Sequence, residues 1–136
     1  MNFSTFLSIL PFVLLSCSAG ERTTSTPLSL GEWGGEHMRL VVNPTGASTE
    51  FDCAHGSIDS PVMVSAQGRF EAEGKHVIEH GGAINENEPE NIHPAHYVGV
   101  VHGTAMTISI TLTDMQRAVG TFQLVYGSTA TIQKCL

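Results

Sequence analysis

From Gly31 onward, apolar and polar residues alternate with a period of two, and Gly, Asn, Asp or Pro breaks the alternation about every 8 to 12 residues. Phe70, Ala72, Gly74, His76, Ile78 and His80 alternate with Arg69, Glu71, Glu73, Lys75, Val77 and Glu79, which predicts a strand with one largely apolar and one charged face. Met106, Ile108, Ile110 and Leu112 alternate with Thr107, Ser109, Thr111 and Thr113 in the same way. Further strands are predicted at Glu32 to Val42, Thr49 to Ala54, Pro61 to Ser65, His96 to His102, Val119 to Tyr126 and Thr129 to Lys134. Reversals are expected at Asn43-Pro44-Thr45-Gly46, Gln67-Gly68, His102-Gly103, Thr113 to Arg117 and Tyr126-Gly127-Ser128. No long stretch has helical spacing, so the pattern is all-β. About eight strands joined mostly by short turns predict an antiparallel meander. Closing it into a small barrel removes both exposed edges, with a β-sandwich as the alternative.

The irregular segment Gly81 to Pro94 carries Glu86, Glu88, Glu90 and two prolines, and is expected to be a surface loop with functional potential. The chain has 136 residues, enough for one domain once an apolar leader is set aside. Its 13 acidic and 6 basic residues all follow position 20, and the resulting charge of −7 repels phosphate backbones, which argues against nucleic acid as a partner.

Met1 to Ser16 reads as a signal peptide, with an apolar stretch from Phe6 to Leu15 of the length of its core, although the residues before that stretch include no Lys or Arg. Leu14-Leu15-Ser16-Cys17 resembles the lipobox of bacterial lipoproteins, which implies acylation of Cys17 and attachment to a membrane through lipid; an ordinary signal peptide cut after Ala19 or Gly20 is the alternative. Ser18 to Ser29 is expected to be a flexible tether, leaving residues 30 to 136 as the folded domain. In lipoproteins of this kind a non-acidic residue such as Ser18 implies the outer membrane of a diderm bacterium; a periplasmic or extracellular protein is the wider expectation. Of three cysteines, Cys53 and Cys135 remain once Cys17 is removed or acylated, and in an exported chain they are expected to form one disulfide.

Gly31-Glu32-Trp33 resembles the G-x-W of lipocalins and avidins, which implies a small calycin-like barrel with Trp33 plugging one end beneath a ligand cavity. Trp33 is accordingly a candidate ligand-binding residue; Arg39 is another for a separate reason, since with Arg69 it could close over a buried anion, a solvated strand face being the plainer expectation for both. Longer stretches, W-G-G-E-H (Trp33 to His37), E-F-D-C-A-H-G (Glu50 to Gly56), E-H-G-G (Glu79 to Gly82) and the closing K-C-L, resemble a family of uncharacterised bacterial secreted or lipoprotein domains. That resemblance implies the compartment and a single domain, and no activity.

Seven histidines in so small a body form the most informative chemical signal. His37, His55, His80, His93 and His96 fall at expected strand ends or beside the long loop, where imidazoles meeting at a barrel mouth would suit Zn or Cu, with Glu36 and Glu79 as ligands or orienting partners. Hydrogen bonding to loop carbonyls or water is the plainer expectation for them. His76 falls in the apolar phase of its strand and is expected to be a satisfied interior histidine, and His102 to be exposed. Ser57 or Ser60 beside a histidine would be needed for hydrolysis, yet no G-x-S-x-G elbow is present. Glu50 and Asp52 share one expected strand face. The resulting expectation is a non-enzymatic, membrane-tethered envelope lipoprotein whose barrel binds a small ligand or protein partner. The alternatives are a histidine-based metal-binding lipoprotein and a small hydrolase or enzyme-inhibitor barrel.

Overall fold

The computed structural model describes residues 23–136 and the isolated positions 11, 13, 16, 17 and 20. The expected leader, Met1 to Ser16, lies almost wholly outside the described residues. Ten strands follow in chain order: β1 (Ser25–Pro27), β2 (Gly31–Gly34), β3 (Met38–Asn43), β4 (Gly46–Phe51), β5 (Ala54–Ile58), β6 (Met63–Ser65), β7 (Arg69–Ile78), β8 (Asn91–His102), β9 (Ala105–Leu112) and β10 (Arg117–Tyr126). Eight of them close into a barrel in the order β10-β2-β3-β4-β5-β7-β8-β9, and β1 pairs with β6 in a separate two-stranded ribbon. All pairings between these strands are antiparallel, as a meander requires.

The period-two pattern explains the packing. Met106, Ile108, Ile110 and Leu112 of β9 are buried while Thr107 and Thr111 are exposed, and Phe70, Ala72 and His76 of β7 are buried while Arg69, Glu71 and Glu73 are exposed. The inward faces merge into one core containing Trp33, Met38, Leu40, Phe51, Phe70, Tyr97, Ile108 and Leu124. The interior is therefore filled by side chains, as a barrel of eight strands allows. Burial pushes the Tyr97 hydroxyl up to about 12, and it donates to Lys75 O at 2.8 Å.

Phe70 and Gly99 are direct partners on β7 and β8, and a Cβ at position 99 would lie 2.1 Å from Phe70 Cε1. The ring fills the space that the missing side chain leaves. Gly99→Ala is expected to displace it and to cost about 1–3 kcal/mol in urea unfolding through overpacking. A cost under about 0.5 kcal/mol would show that the ring does not depend on that space.

Several expected boundaries are corrected. The segment Glu32 to Val42 is two strands, because the chain reverses at Gly35–His37 with His37 at φ 67°. β4 ends at Phe51, so Asp52 belongs to a turn with Cys53 (φ 50°) instead of sharing a strand face with Glu50. β8 begins at Asn91, taking His93 and Pro94 out of the expected loop and leaving 79–90 as the connection. Part of the expected tether is folded: Ser25–Pro27 pairs with Met63–Ser65, and Leu28 is buried, its N–H donating to Val62 O at 2.9 Å. Thr129 to Lys134 is no strand; it meets the sheet by a single parallel bridge between Glu36 and Thr131.

The register separates the two ends. The β1–β6 ribbon and the turns at 43–46, 66–68 and 103–104 lie at the end where the described chain enters. The turns at 35–37, 52–53 and 113–116 and the loop 79–90 lie at the other.

Candidate functional site at the strapped end of the barrel

After β10 the chain turns at Gly127 and runs back as a strap to the end farthest from β1. His37 N donates to Thr131 O at 2.8 Å, and Thr131 N donates to Gly35 O at 3.0 Å. Gln133 N donates to Asp52 Oδ1 at 2.8 Å, Cys53 N donates to Gln133 O at 3.2 Å, and Gly82 N donates to Leu136 O at 3.1 Å. The Cys53–Cys135 disulfide fixes this path, joining residues 82 apart in sequence. Lys134 Nζ donates to Phe51 O, Ala54 O and Glu79 Oε2 at 3.4, 3.1 and 2.9 Å. Three turns that would otherwise end separate hairpins are thus bound by one segment. Among the described residues, the non-glycine positions with positive φ are His37, Cys53 and Gln116, all at this end. Two of the three are held directly by the strap, which offsets the cost of the left-handed conformation.

Beside the strap the mouth of the barrel holds a cavity of about 280 Å³, bounded by Cys53, His76, Ile78, Leu112, Arg117 and Val119 among others. Asp52 lies on its wall, where the Gln133 N–H first and the His37 imidazole next hold the carboxyl below its usual range. On the other side of the disulfide, a second depression of about 260 Å³ is framed by His55, His80, Ile84, Glu88 and Cys135.

The histidines expected to converge on a metal do not. Each of the five faces its own carboxylate: His37 Nδ1 to Asp52 Oδ2 at 2.5 Å, His55 Nδ1 to Glu79 Oε1 at 3.8 Å, His80 Nε2 to Glu88 Oε1 at 2.9 Å, His93 Nδ1 to Asp114 Oδ2 at 2.7 Å and His96 Nδ1 to Glu73 Oε1 at 2.5 Å. Among the described residues, no group of three or more His, Cys, Asp or Glu side chains is arranged to hold a metal ion. The geometric reason is that pairing to a carboxylate on a neighbouring strand or turn turns the rings away from a common centre. His96 and Glu73, for instance, are direct partners across β7 and β8.

Of the other candidates, Arg39 and Glu50 border one depression of about 350 Å³ together with His55 and Glu79. Trp33 is sealed in the core, its indole N–H donating to Ser29 O at 3.2 Å, among the side chains that fill the interior. Arg39 is on the outer wall, where the Glu32 carboxylate raises its pKa and accepts at 2.9 and 3.2 Å. Ser57 Oγ donates to Asp59 Oδ1 at 2.7 Å, so no histidine activates it. His102 is exposed in its turn, as expected.

His76 is interior, but not satisfied. It is 4% exposed, lies edge-on to Phe51 with ring centroids 4.9 Å apart, and its Nδ1 is the one buried side-chain nitrogen or oxygen without a hydrogen bond among the described residues. Sequence periodicity placed the ring inside; only the fold could show that nothing answers it.

Burial, and then the nearby His93 and His55, lower the His76 pKa below 6.5. The unfolded chain therefore binds a proton that the folded chain refuses. Stability from this group is complete above pH about 6.5 and falls as pH drops toward the depressed value, by at most about 1.4 kcal/mol per pH unit. His80 acts oppositely: the Gly81 carbonyl and Glu88 raise its pKa, so its contribution is complete below 6.5 and fades as pH rises through the raised value. His76→Phe is expected to flatten the decline in stability between pH 6.5 and 5, measured by urea unfolding at each pH. An unchanged slope would contradict the buried neutral imidazole.

The site and fold together define a closed eight-stranded antiparallel barrel with a filled interior and a disulfide-fastened strap beside an open mouth. Compared with known proteins, the chain matches no family model, no curated protein and no solved structure.

Proposed function

We propose that this chain is a non-enzymatic envelope lipoprotein, tethered to a membrane through Cys17, whose barrel serves as a binding module. The observation that carries this reading is the separation of the two ends. The chain enters the barrel through β1 at one end, while the strap, the disulfide and the mouth cavity occupy the other. From Cys17 to Ser25 seven residues intervene, a reach of roughly 25 Å when extended. An anchor at Cys17 therefore holds the β1 end toward the bilayer and leaves the mouth facing away from it, accessible to a partner. Two or more acyl chains on the N-terminal cysteine would supply stable attachment where one would not. The disulfide is weakly consistent with an exported chain, and the committed side chains of Ser57 and the five paired histidines favour binding over catalysis.

Cell fractionation tests the tether. The wild type is expected in the membrane fraction and Cys17→Ser in the soluble fraction or retained unprocessed, because Cys17 is exposed and lies outside the barrel. Equal partitioning of the two forms would remove the lipid anchor from the account.

A further inference from the structure

The alternation along β7 puts His76 on the inner face, and the register carries that face round the wall. Gly74, Ala95, Leu112 and Arg117 are successive cross-strand partners on β7, β8, β9 and β10, so Arg117 shares the inward side of Leu112 at the lip of the mouth. His76 is paired with His93 nearer the same lip.

Most polar groups at this mouth are already engaged. Asp52 is held by His37 and Gln133, Glu79 by Lys134, and His93 by Asp114. Two are not: the Nδ1 of His76 has no hydrogen bond, and the Arg117 guanidinium has no ion pair or side-chain hydrogen bond among the described residues. Both residues line the 280 Å³ cavity, with Ile78, Leu112 and Val119 between them.

We propose that this mouth binds a small organic monocarboxylate bearing a hydroxyl group, with the carboxylate on Arg117, the apolar body against Leu112 and Val119, and the hydroxyl on Nδ1 of His76. The inference rests on the reading of the barrel as a binding module and adds the class of its ligand. An arginine presents a planar fork that matches a carboxylate. A buried neutral imidazole exchanges a single hydrogen bond with a hydroxyl, and leaving that nitrogen unanswered is costly. His76 lines the cavity, and a half-turn about its Cβ–Cγ bond, a torsion with broad wells, exchanges the positions of Nδ1 and Cδ2. β7 and β10 are three strand spacings apart, an arc of about 14 Å, which the two side chains span together with a molecule one benzene ring long.

The test is an NMR titration of the exported full chain, solubilised in detergent and labelled with ¹⁵N-histidine, using 4-hydroxybenzoate, benzoate and phenol as probes. 4-Hydroxybenzoate is expected to shift the His76 ring nitrogens saturably and to bind about fivefold more tightly than benzoate. Arg117→Gln, on an exposed side chain that leaves the fold intact, is expected to weaken 4-hydroxybenzoate about tenfold and to leave phenol unchanged. His76→Phe is expected to erase the difference between benzoate and 4-hydroxybenzoate. The comparison of the probes on the wild type stands whether or not that variant folds. Absence of a saturable shift at His76, or equal affinity in wild type and Arg117→Gln, overturns the assignment. Fractionation of Cys17→Ser reads the tether alone, so failure here with membrane attachment intact removes the ligand class and not the tethered module.

Discussion

Replacing Cys53 and Cys135 together by serine is expected to lower stability by about 4.5 kcal/mol, the loop-closure entropy released when residues 82 apart are no longer joined. For a folded domain of this size that corresponds to a fall in melting temperature of about 15–20 °C. The effect is larger than that of an ordinary surface substitution because the cross-link acts on the whole unfolded chain. In the folded state Ile132 is half-buried, while Thr131 and Gln133 to Leu136 are exposed, so apart from the disulfide the segment stays in place through its backbone bonds, the Asp52 carboxylate and the three bonds of Lys134 Nζ instead of through apolar packing. Losing the covalent link therefore also loosens the turns at His37 and Cys53, whose left-handed backbones the strap supports. Urea unfolding of the oxidised wild type and the double variant measures the difference. A gap below about 1 kcal/mol would mean that the strap is held by its noncovalent contacts alone.

Trp33→Ala is expected to cost about 3–5 kcal/mol, the range for truncating a large buried aromatic side chain. Trp33 is 1% exposed, packs against Tyr126 with ring centroids 5.1 Å apart, and is the direct partner of Tyr126 across β2 and β10. That pairing is the seam of the barrel, and it consists of two residue pairs, Val125 with Gly34 and Tyr126 with Trp33. Tyr126 further fastens it by donating from its hydroxyl to Leu30 O at 2.6 Å. Removing the indole takes away the contact that presses the seam shut, so amide exchange at Gly127, whose N–H donates to Glu32 O across the seam at 2.8 Å, is expected to accelerate well beyond the global loss of stability. Exchange at this amide that tracks global unfolding alone would place the closure elsewhere. The two substitutions act at different places, Trp33 at the seam and Cys53 at the far turns. Their effects are expected to add within about 0.5 kcal/mol.

Strand identity was legible because burial on one face leaves a direct mark on the sequence, and β9 is the plainest case: every second residue from Met106 to Leu112 is buried. The Asn43 to Gly46 reversal was legible for a local reason as well, since Asn43 Oδ1 accepts from both the N–H and the hydroxyl of Thr45 at 2.9 and 2.8 Å. What escaped depends on distant partners. His37 and Cys53 turn the chain with positive φ, and nothing in W-G-G-E-H or F-D-C-A announces this, because Thr131 and Gln133 hold them from the other end of the sequence. Thr129 to Lys134 alternates like a strand, but the barrel is already closed between β10 and β2, so the segment has no open edge to join and becomes a strap. The density of histidines did mark the strapped end, where His37, His55, His80 and His93 lie. Their partners were hidden, since a cross-strand pair such as His96 with Glu73 exists only once the register is fixed. Arg117 falls in the expected Thr113 to Arg117 reversal, whereas the structure makes it the first residue of β10. The bulge between Ala118 and Gly120 shifts the phase of that strand, so that Arg117 pairs with Leu112 although counting back by twos from Leu124 would put it on the opposite face.

The separation of an anchored end from a fastened end is tested most directly by mass spectrometry of the exported protein, intact and as non-reduced peptides. The expected result is a mature chain beginning at an acylated Cys17, with the peptides of Cys53 and Cys135 linked to each other. A chain whose Cys17 carries no lipid, or whose Cys53 and Cys135 are both free thiols, would contradict it.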